Sequence, residues 1–345
     1  MAVNREKRHI TIHDIARELG ISASTVSRAL SDNPRISLAT RKLVQKLALE
    51  NGYRPNTMAS NLRKGKGNTV GVIVPNISRS FFSNVISGME KELSSAGFNL
   101  MICQSHESIE KEREAISTLL DARVDGIMMS LSMESSDPVH IRQLVDAGVR
   151  LVFFDRIPRG QNVSRVVIND YIAAFNLTKY LISQGYSRIA HVAGYKGISV
   201  YDDRRQGYED AMRKNGMDIP GHFIAETEMT REGGAKAFDR FFSGSVAPDA
   251  VVSAGDYSAH GVFLEAQKNG LNVPVDLAIS GFSNEEFTQH IDPPITTVDQ
   301  RGYDVGCKSA RLFLDTLETD QVSEIVLDPN IIYRESTVRK LYINN

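Results

Sequence analysis

The chain has 345 residues, 24% charged and 41% hydrophobic, with a formal net charge of −2 at pH 7, the composition of a globular protein large enough for two or three cored domains. No stretch approaches the roughly 18 uncharged apolar residues of a membrane span, and Met1 to His9 hold no apolar signal core, so a cytoplasmic protein is expected. The two cysteines, Cys103 and Cys307, are too few for a disulfide framework and read as buried reduced thiols.

The near-zero net charge hides an asymmetry. Residues 1–68 carry 13 Lys and Arg against 5 Asp and Glu, whereas residues 69–345 carry 27 against 37. A basic head on an acidic body fits a head that docks on phosphates and a body that does not.

Within the head, Thr11 to Leu30 spell two short amphipathic helices separated by one glycine. Thr11 is the expected N-cap of the first, with Asp14 favouring the same end. Ile12, Ile15, Ala16 and Leu19 form its apolar stripe, and Gly20 ends it. Ser22 then caps a second helix whose Val26 and Leu30 face the first, leaving Ala23, Ser24, Ser27 and Arg28 outward. This is the pattern of a helix-turn-helix whose second helix enters a major groove of DNA; an ordinary helical hairpin in a larger core is the bland alternative. A third helix is expected from the Ser37 cap to Gly52, with Leu43, Val44, Leu47 and Ala48 as its apolar face. Arg35, Arg41, Lys42 and Lys46 make a basic surface suited to phosphate contact.

After Tyr53-Arg54-Pro55, Asn56 can cap a helix of two turns, Thr57 to Arg63, which dissolves into Lys64-Gly65-Lys66-Gly67-Asn68. Alone such a helix is too short to be stable in water. If two chains pair over DNA, Leu62 can wedge between base steps while Arg63 and Lys64 meet the narrow-groove potential. A flexible tether with one stray leucine fits the segment equally well.

From Val70 the pattern changes to buried strands alternating with helices: Val70–Val74, Leu100–Cys103, Gly126–Ser130 and Leu151–Asp155, then Ile189–Ala193, Val251–Ser253 and Leu277–Ser280. Roughly five strands in each half predict two doubly wound parallel sheets facing one another, with ligands bound at the carboxyl ends of the strands. Those ends carry Phe81 and Phe82, Asp155 and Arg156, Tyr201 with Arg204 and Arg205, Asp256, and Ser283. Carboxylates and guanidinium groups suit hydroxyls or an anionic group, and aromatic faces suit a sugar ring or a base. Taken singly, a Phe can pack under its helix, Asp256 can cap the helix beginning at Tyr257, and Asp155-Arg156 can be a structural ion pair. Their shared location points to a site.

The segment Thr11–Leu30, together with Asn51-Gly52-Tyr53-Arg54-Pro55-Asn56, Ala59-Ser60-Asn61-Leu62-Arg63 and Val70–Val74, resembles the lactose-repressor/galactose-repressor (LacI/GalR) family along the whole chain. The resemblance implies an all-α three-helix head (1–55), a hinge (56–68) and a periplasmic-binding-protein-like α/β body. The expected subdomains are 69–168 plus 298–322 and 169–297 plus 323–345. It also implies a homodimeric or tetrameric bacterial transcription factor, usually a repressor. Such a protein binds a pseudo-palindromic operator, and its DNA affinity changes when a small molecule fills the cleft. A dimer is favoured, because no heptad-like leucine tail follows Ile332-Tyr333-Arg334.

Ala23, Ser24 and Arg28 match the family's base-reading positions, Arg28 being suited to guanine, and Leu62 matches its intercalating leucine. Thr11, Ser22, Thr25, Ser27, Arg35, Tyr53, Asn56, Ala59 and Arg63 complete the expected DNA-facing set. Phe81, Phe82, Asp155, Arg156, Tyr201, Arg204, Asp256 and Gln300 resemble the ligand shell of ribose-type binding proteins, which favours a sugar or sugar derivative. Ser283 stands where many members carry an aspartate for ligand hydroxyls, so an anionic effector is the alternative.

Enzyme readings find no footing: the chain has no Gly-x-x-x-x-Gly-Lys, Gly-x-Gly-x-x-Gly or Gly-x-Ser-x-Gly motif, and the eight histidines are scattered. Neither a metal nor a cofactor is expected. A solute-binding receptor would need a secretion signal and no basic head.

Overall fold

The computed structural model describes residues 10–53, 67–135 and 139–339. The chain divides into two compact units, 1–67 and 68–345.

In the first unit, α1 (Ile12–Leu19), α2 (Ala23–Leu30) and α3 (Leu38–Glu50) form a three-helix bundle. Thr11 and Asp14 close a reciprocal capping box: the Thr11 amide donates to Asp14 at 3.0 Å, and the Asp14 amide donates to the Thr11 hydroxyl at 3.3 Å. Gly20 follows α1 in the left-handed region at φ 62°. Ser22 and Ser37 accept from the Thr25 and Thr40 amides, capping α2 and α3. The core is small, namely Ile15, Ala16, Val26, Ala29, Val44 and Ala48. Its three larger members contribute about 1.5–3 kcal/mol each on burial.

Two expectations fail here. Leu43 is 54% exposed and lies outside the core, because α3 offers α1 and α2 only the narrow stripe through Val44, Leu47 and Ala48. Arg41 is paired with Asp32, donating to both its carboxylate and its carbonyl, so its charge is already spent within the head.

The second unit is two six-stranded α/β layers. The first sheet, in the order β11-β5-β4-β3-β1-β2, is entirely parallel. Its strands are β1 (Thr69–Val74), β2 (Asn99–Gln104), β3 (Gly126–Met129), β4 (Leu151–Phe154), β5 (Ser164–Ile168) and β11 (Glu324–Leu327). The second contains β6 (Ile189–Ala193), β7 (Ile224–Glu226), β8 (Ala250–Ser253), β9 (Ala278–Phe282), β10 (Thr296–Asp299) and β12 (Asn330–Ile332). Its order is β12-β10-β9-β8-β6-β7, and only the β10–β12 pair is antiparallel. The central strands are apolar runs buried on both faces, as helices on either side of a parallel sheet require.

The helices are α4 (Ser80–Ser95), α5 (Ile109–Asp121), α6 (Val139–Asp146) and α11 (Gly302–Asp315) around the first sheet. Around the second are α7 (Asp170–Ser183), α8 (Ser199–Lys214), α9 (Arg231–Phe242) and α10 (Asp256–Lys268).

Among the described residues the chain passes between the lobes three times: at Asn169, at Gln300 and at Asp328-Pro329. The latter two differ from the expected boundaries at 298 and 323. β10 belongs wholly to the second sheet, where it pairs with β9. Glu324–Leu327 extends the first sheet along β5 rather than joining the second lobe. At four residues each, β10 and β11 are too short for their sequence pattern to declare which sheet they join.

Candidate functional site

Ala23, Ser24, Thr25, Ser27 and Arg28 lie on α2, with Ser24 and Arg28 exposed on the helix face opposite buried Val26 and Ala29. The Ser22 hydroxyl is shared with Ser24 and Thr25, both at 2.8 Å, which orients the start of α2. Arg35 is exposed, its amide bound to Asn33 at 3.0 Å, and Tyr53 packs against the head core. Asn56, Ala59, Leu62 and Arg63 lie outside the described residues. What the described head presents is a solvent-facing side of α2 bearing hydroxyls in its first turn and Arg28 in its last, a surface able to read base edges.

In the second unit, the carboxyl ends of both sheets face a cavity of about 230 Å³. Phe81, Phe82, Asp155, Arg156, Tyr201, Arg204, Asp256, Ser283 and Gln300 line it, as expected of an effector site, whereas Arg205 does not and is paired with Glu209 and Glu226. Phe81 and Phe82 open α4 as an edge-to-face pair with centroids 5.1 Å apart, both buried. From the second lobe comes Tyr201 on α8, its ring filling the space over Gly194, where a Cβ would lie 2.3 Å from the ring.

Asp155 ends β4 in the left-handed region at φ 58°. It accepts from the Ser130 hydroxyl at 3.2 Å and from the Gln300 amide at 3.4 Å. Gln300 in turn accepts from the Ser283 hydroxyl at 2.9 Å. The chain Ser283–Gln300–Asp155 therefore runs from the second lobe, through a crossing, to the first. Ser283 sits at φ 113°, a conformation costly for any residue with a side chain.

Arg156 is buried and donates to Glu107 at 2.6 Å and to the Tyr201 hydroxyl, in the other lobe, at 3.3 Å. Arg204 is held by a 2.7 Å bond to Asp170 and a 2.8 Å bond to the Ala254 carbonyl, while its Nη2 has no protein partner. That leaves one buried, charged N–H pair lining the cavity. Burial pushes Asp155 upward and raises Asp170 to about 7, against the pull of Arg204.

Asp256 lines the cavity and does not take the alternative role of helix cap. It is the first residue of α10 rather than its cap, because the cap position is Gly255. Its two oxygens accept from the Thr297 hydroxyl at 2.7 Å and the Glu285 amide at 2.8 Å. It thus braces the β9–β10 region, and burial raises it to about 8. Cys103 and Cys307 are half-buried free thiols on the first lobe, less buried than expected.

Four residues of consequence escaped the sequence reading. Asp170 anchors Arg204, Glu107 anchors Arg156, and Arg79 and Glu285 meet across the cavity mouth with groups of the opposite lobe. Arg79, just before Phe81, Asp170, after Asn169, and Glu285, two residues after Ser283, stand beside expected positions, whereas Glu107 has no such neighbour.

Two α/β lobes that enclose a small polar and aromatic cavity, in a chain that also carries a helix-turn-helix head, define a ligand-responsive DNA-binding regulator. Residues 67–334 match the model of periplasmic binding proteins and sugar binding domains of the LacI family, and residues 11–56 match that of bacterial regulatory proteins of the lacI family. The chain belongs to the LacI family.

The HTH-type transcriptional repressor CytR of Escherichia coli K12 is 32% identical over 98% of this chain and 99% of its own length. Catabolite control protein A of Priestia megaterium is likewise 32% identical, over 95% and 99%. Among solved structures, the transcriptional regulator CelR in complex with cellobiose aligns with TM-score 0.73 at 27% identity, covering 95% of this chain and all of that one. The lac repressor dimer bound to operator and the anti-inducer ONPF shares the fold at TM-score 0.86 and 21% identity, over 96% and 100%. The protein is a DNA-binding transcriptional repressor of this family and not an enzyme. No helix among the described residues is long and apolar enough to cross a membrane.

Proposed function

We propose that the protein represses a carbohydrate-related operon in the bacterial cytoplasm. In this reading a homodimer sets two α2 helices on a pseudo-palindromic operator, with a sugar or sugar derivative as the effector between the lobes. The observation that carries the effector reading is the convergence of Phe81, Phe82 and Tyr201 with Asp155, Arg156 and Arg204 in one cavity, each lobe supplying both aromatic and charged groups. Such a ligand binds both lobes at once, so it favours one lobe angle over others and thereby changes DNA affinity. CelR, solved with cellobiose, supports a carbohydrate ligand in this fold.

A second reading, an anionic effector such as a sugar acid or sugar phosphate, is favoured by two features. Arg204 has an unpartnered Nη2, and Ser283, which spends its hydroxyl on Gln300, stands in the strand-end position.

The test is fluorescence anisotropy at fixed salt on an operator selected from random DNA, with a panel of sugars, sugar acids and sugar phosphates. One compound is expected to change operator affinity by about 5- to 150-fold. If none does so, and none raises the melting temperature, the effector reading is wrong while DNA binding stands.

A further inference from the structure

The mouth of the cavity is crossed by the loop between β1 and α4. Arg79, on the first lobe, lies flat over the Tyr257 ring of α10 in the second, 3.6 Å from guanidinium carbon to ring centroid. Its Nη2 donates to the Met229 carbonyl of the second lobe at 3.3 Å. The next residue, Ser80, donates both its amide (3.2 Å) and its hydroxyl (2.6 Å) to Glu285, a buried carboxylate of the second lobe. Outside the cavity lining, Arg159 of the first lobe reaches Asp203 at 2.9 Å and Asp202 at 3.5 Å in the second.

Behind these contacts lies about 230 Å³, below the roughly 300–1,000 Å³ of pockets for drug-sized ligands. That is room for one substituted ring. The two neighbouring residues differ in how they can give way. Ser80 is tied to a buried group, whereas Arg79 is half-buried and has no carboxylate partner among the described residues.

We propose that Arg79 sets the size of the effector. Stacked on Tyr257, it stops the cavity at one ring, and a two-ring sugar enters only by displacing it. This rests on the carbohydrate reading given above. Displacement forfeits a partly desolvated cation–π contact and a hydrogen bond, which together amount to about ten- to a hundredfold in affinity.

Titration calorimetry on the full chain with D-glucose and cellobiose, D-galactose and lactose, and D-ribose tests the proposal. The wild type is expected to bind a monosaccharide and to bind the disaccharide that contains it at least tenfold more weakly. Arg79→Ala is expected to narrow that gap by tenfold or more, chiefly through tighter disaccharide binding, while loss of the Tyr257 and Met229 contacts lowers the ligand-free melting temperature by about a few degrees. Ser80→Ala, which loosens the loop without emptying the mouth, is expected to narrow it less. A wild type that takes both sizes equally, or an Arg79→Ala variant with the wild-type ratio, overturns the size limit. If no sugar of either size binds the wild type, the carbohydrate reading falls and the size limit with it.

Discussion

His191, at the centre of β6, shows how burial overrides a residue's ordinary chemistry. It is fully buried, stacked on Tyr208 at 4.8 Å, and its Nδ1 makes a 2.8 Å bond to the Val252 carbonyl. Burial pulls its pKa down to about 4, so the folded protein keeps it neutral. The unfolded chain binds that proton near pH 6.5, so stability is lost as pH falls from 6.5 toward 4, by about 3 kcal/mol for the full shift. Urea melts between pH 7 and 4.5 should show this decline. In His191→Asn, which keeps an N–H for Val252, the decline should be much shallower, and an identical pH dependence would refute the assignment. Arg204 follows the same logic in reverse. A buried guanidinium is tolerable because Asp170 and Ala254 take two of its donors, and its remaining N–H pair is what a ligand would meet.

Among the elements, the helix pair α4 and α11 meets backbone to backbone. A Cβ on Gly306 would lie 2.0 Å from the Val85 carbonyl oxygen, and one on Gly88 would lie 2.2 Å from that of Tyr303. Alanine is the better helix former by about 1 kcal/mol, yet the clash should win. Gly306→Ala is expected to destabilise the second unit by about 1–3 kcal/mol in chemical denaturation, and a stabilised variant would show that the helices can separate freely. The long elements were readable in the sequence for a definite reason. Ile12 to Leu19 has a helical stripe between a hydroxyl cap and a glycine, and Val70–Val74 is an apolar run of strand length. The short edge strands β7, β11 and β12 had neither length nor contrast, and their sheet membership follows only from which neighbour they pair with.

For the whole molecule, charge is divided along the chain. The basic residues 1–68 and the acidic remainder assign phosphate contact to the head. Raising salt from 50 to 200 mM should therefore weaken operator binding by tenfold or more through counterion release, while binding of a neutral sugar changes less than twofold. Equal salt sensitivity in the two titrations would contradict that division. The second unit adds a different property. Ser283, Gln300 and Asp155 form one hydrogen-bonded chain across both lobes, and Arg156 touches Tyr201 across the same gap. A change in lobe angle is thus felt at the cavity at several points at once.

The sequence by itself determined the local things: the capped helices of the head, the apolar strands, and the polar and aromatic residues at the strand ends. Each of these depends on periodicity, caps or spacing within a few residues, which the chain carries in its own order. The tertiary structure alone decided the partners. It tied Asp256 of the cavity wall to Thr297 and Glu285, spent Arg41 on Asp32, placed Glu324–Leu327 in the first lobe, and laid Arg79 over Tyr257. Apart from the local Arg41 pair, these contacts join residues 29 to 178 positions apart, a separation at which sequence pattern carries no signal and only packing selects the neighbour.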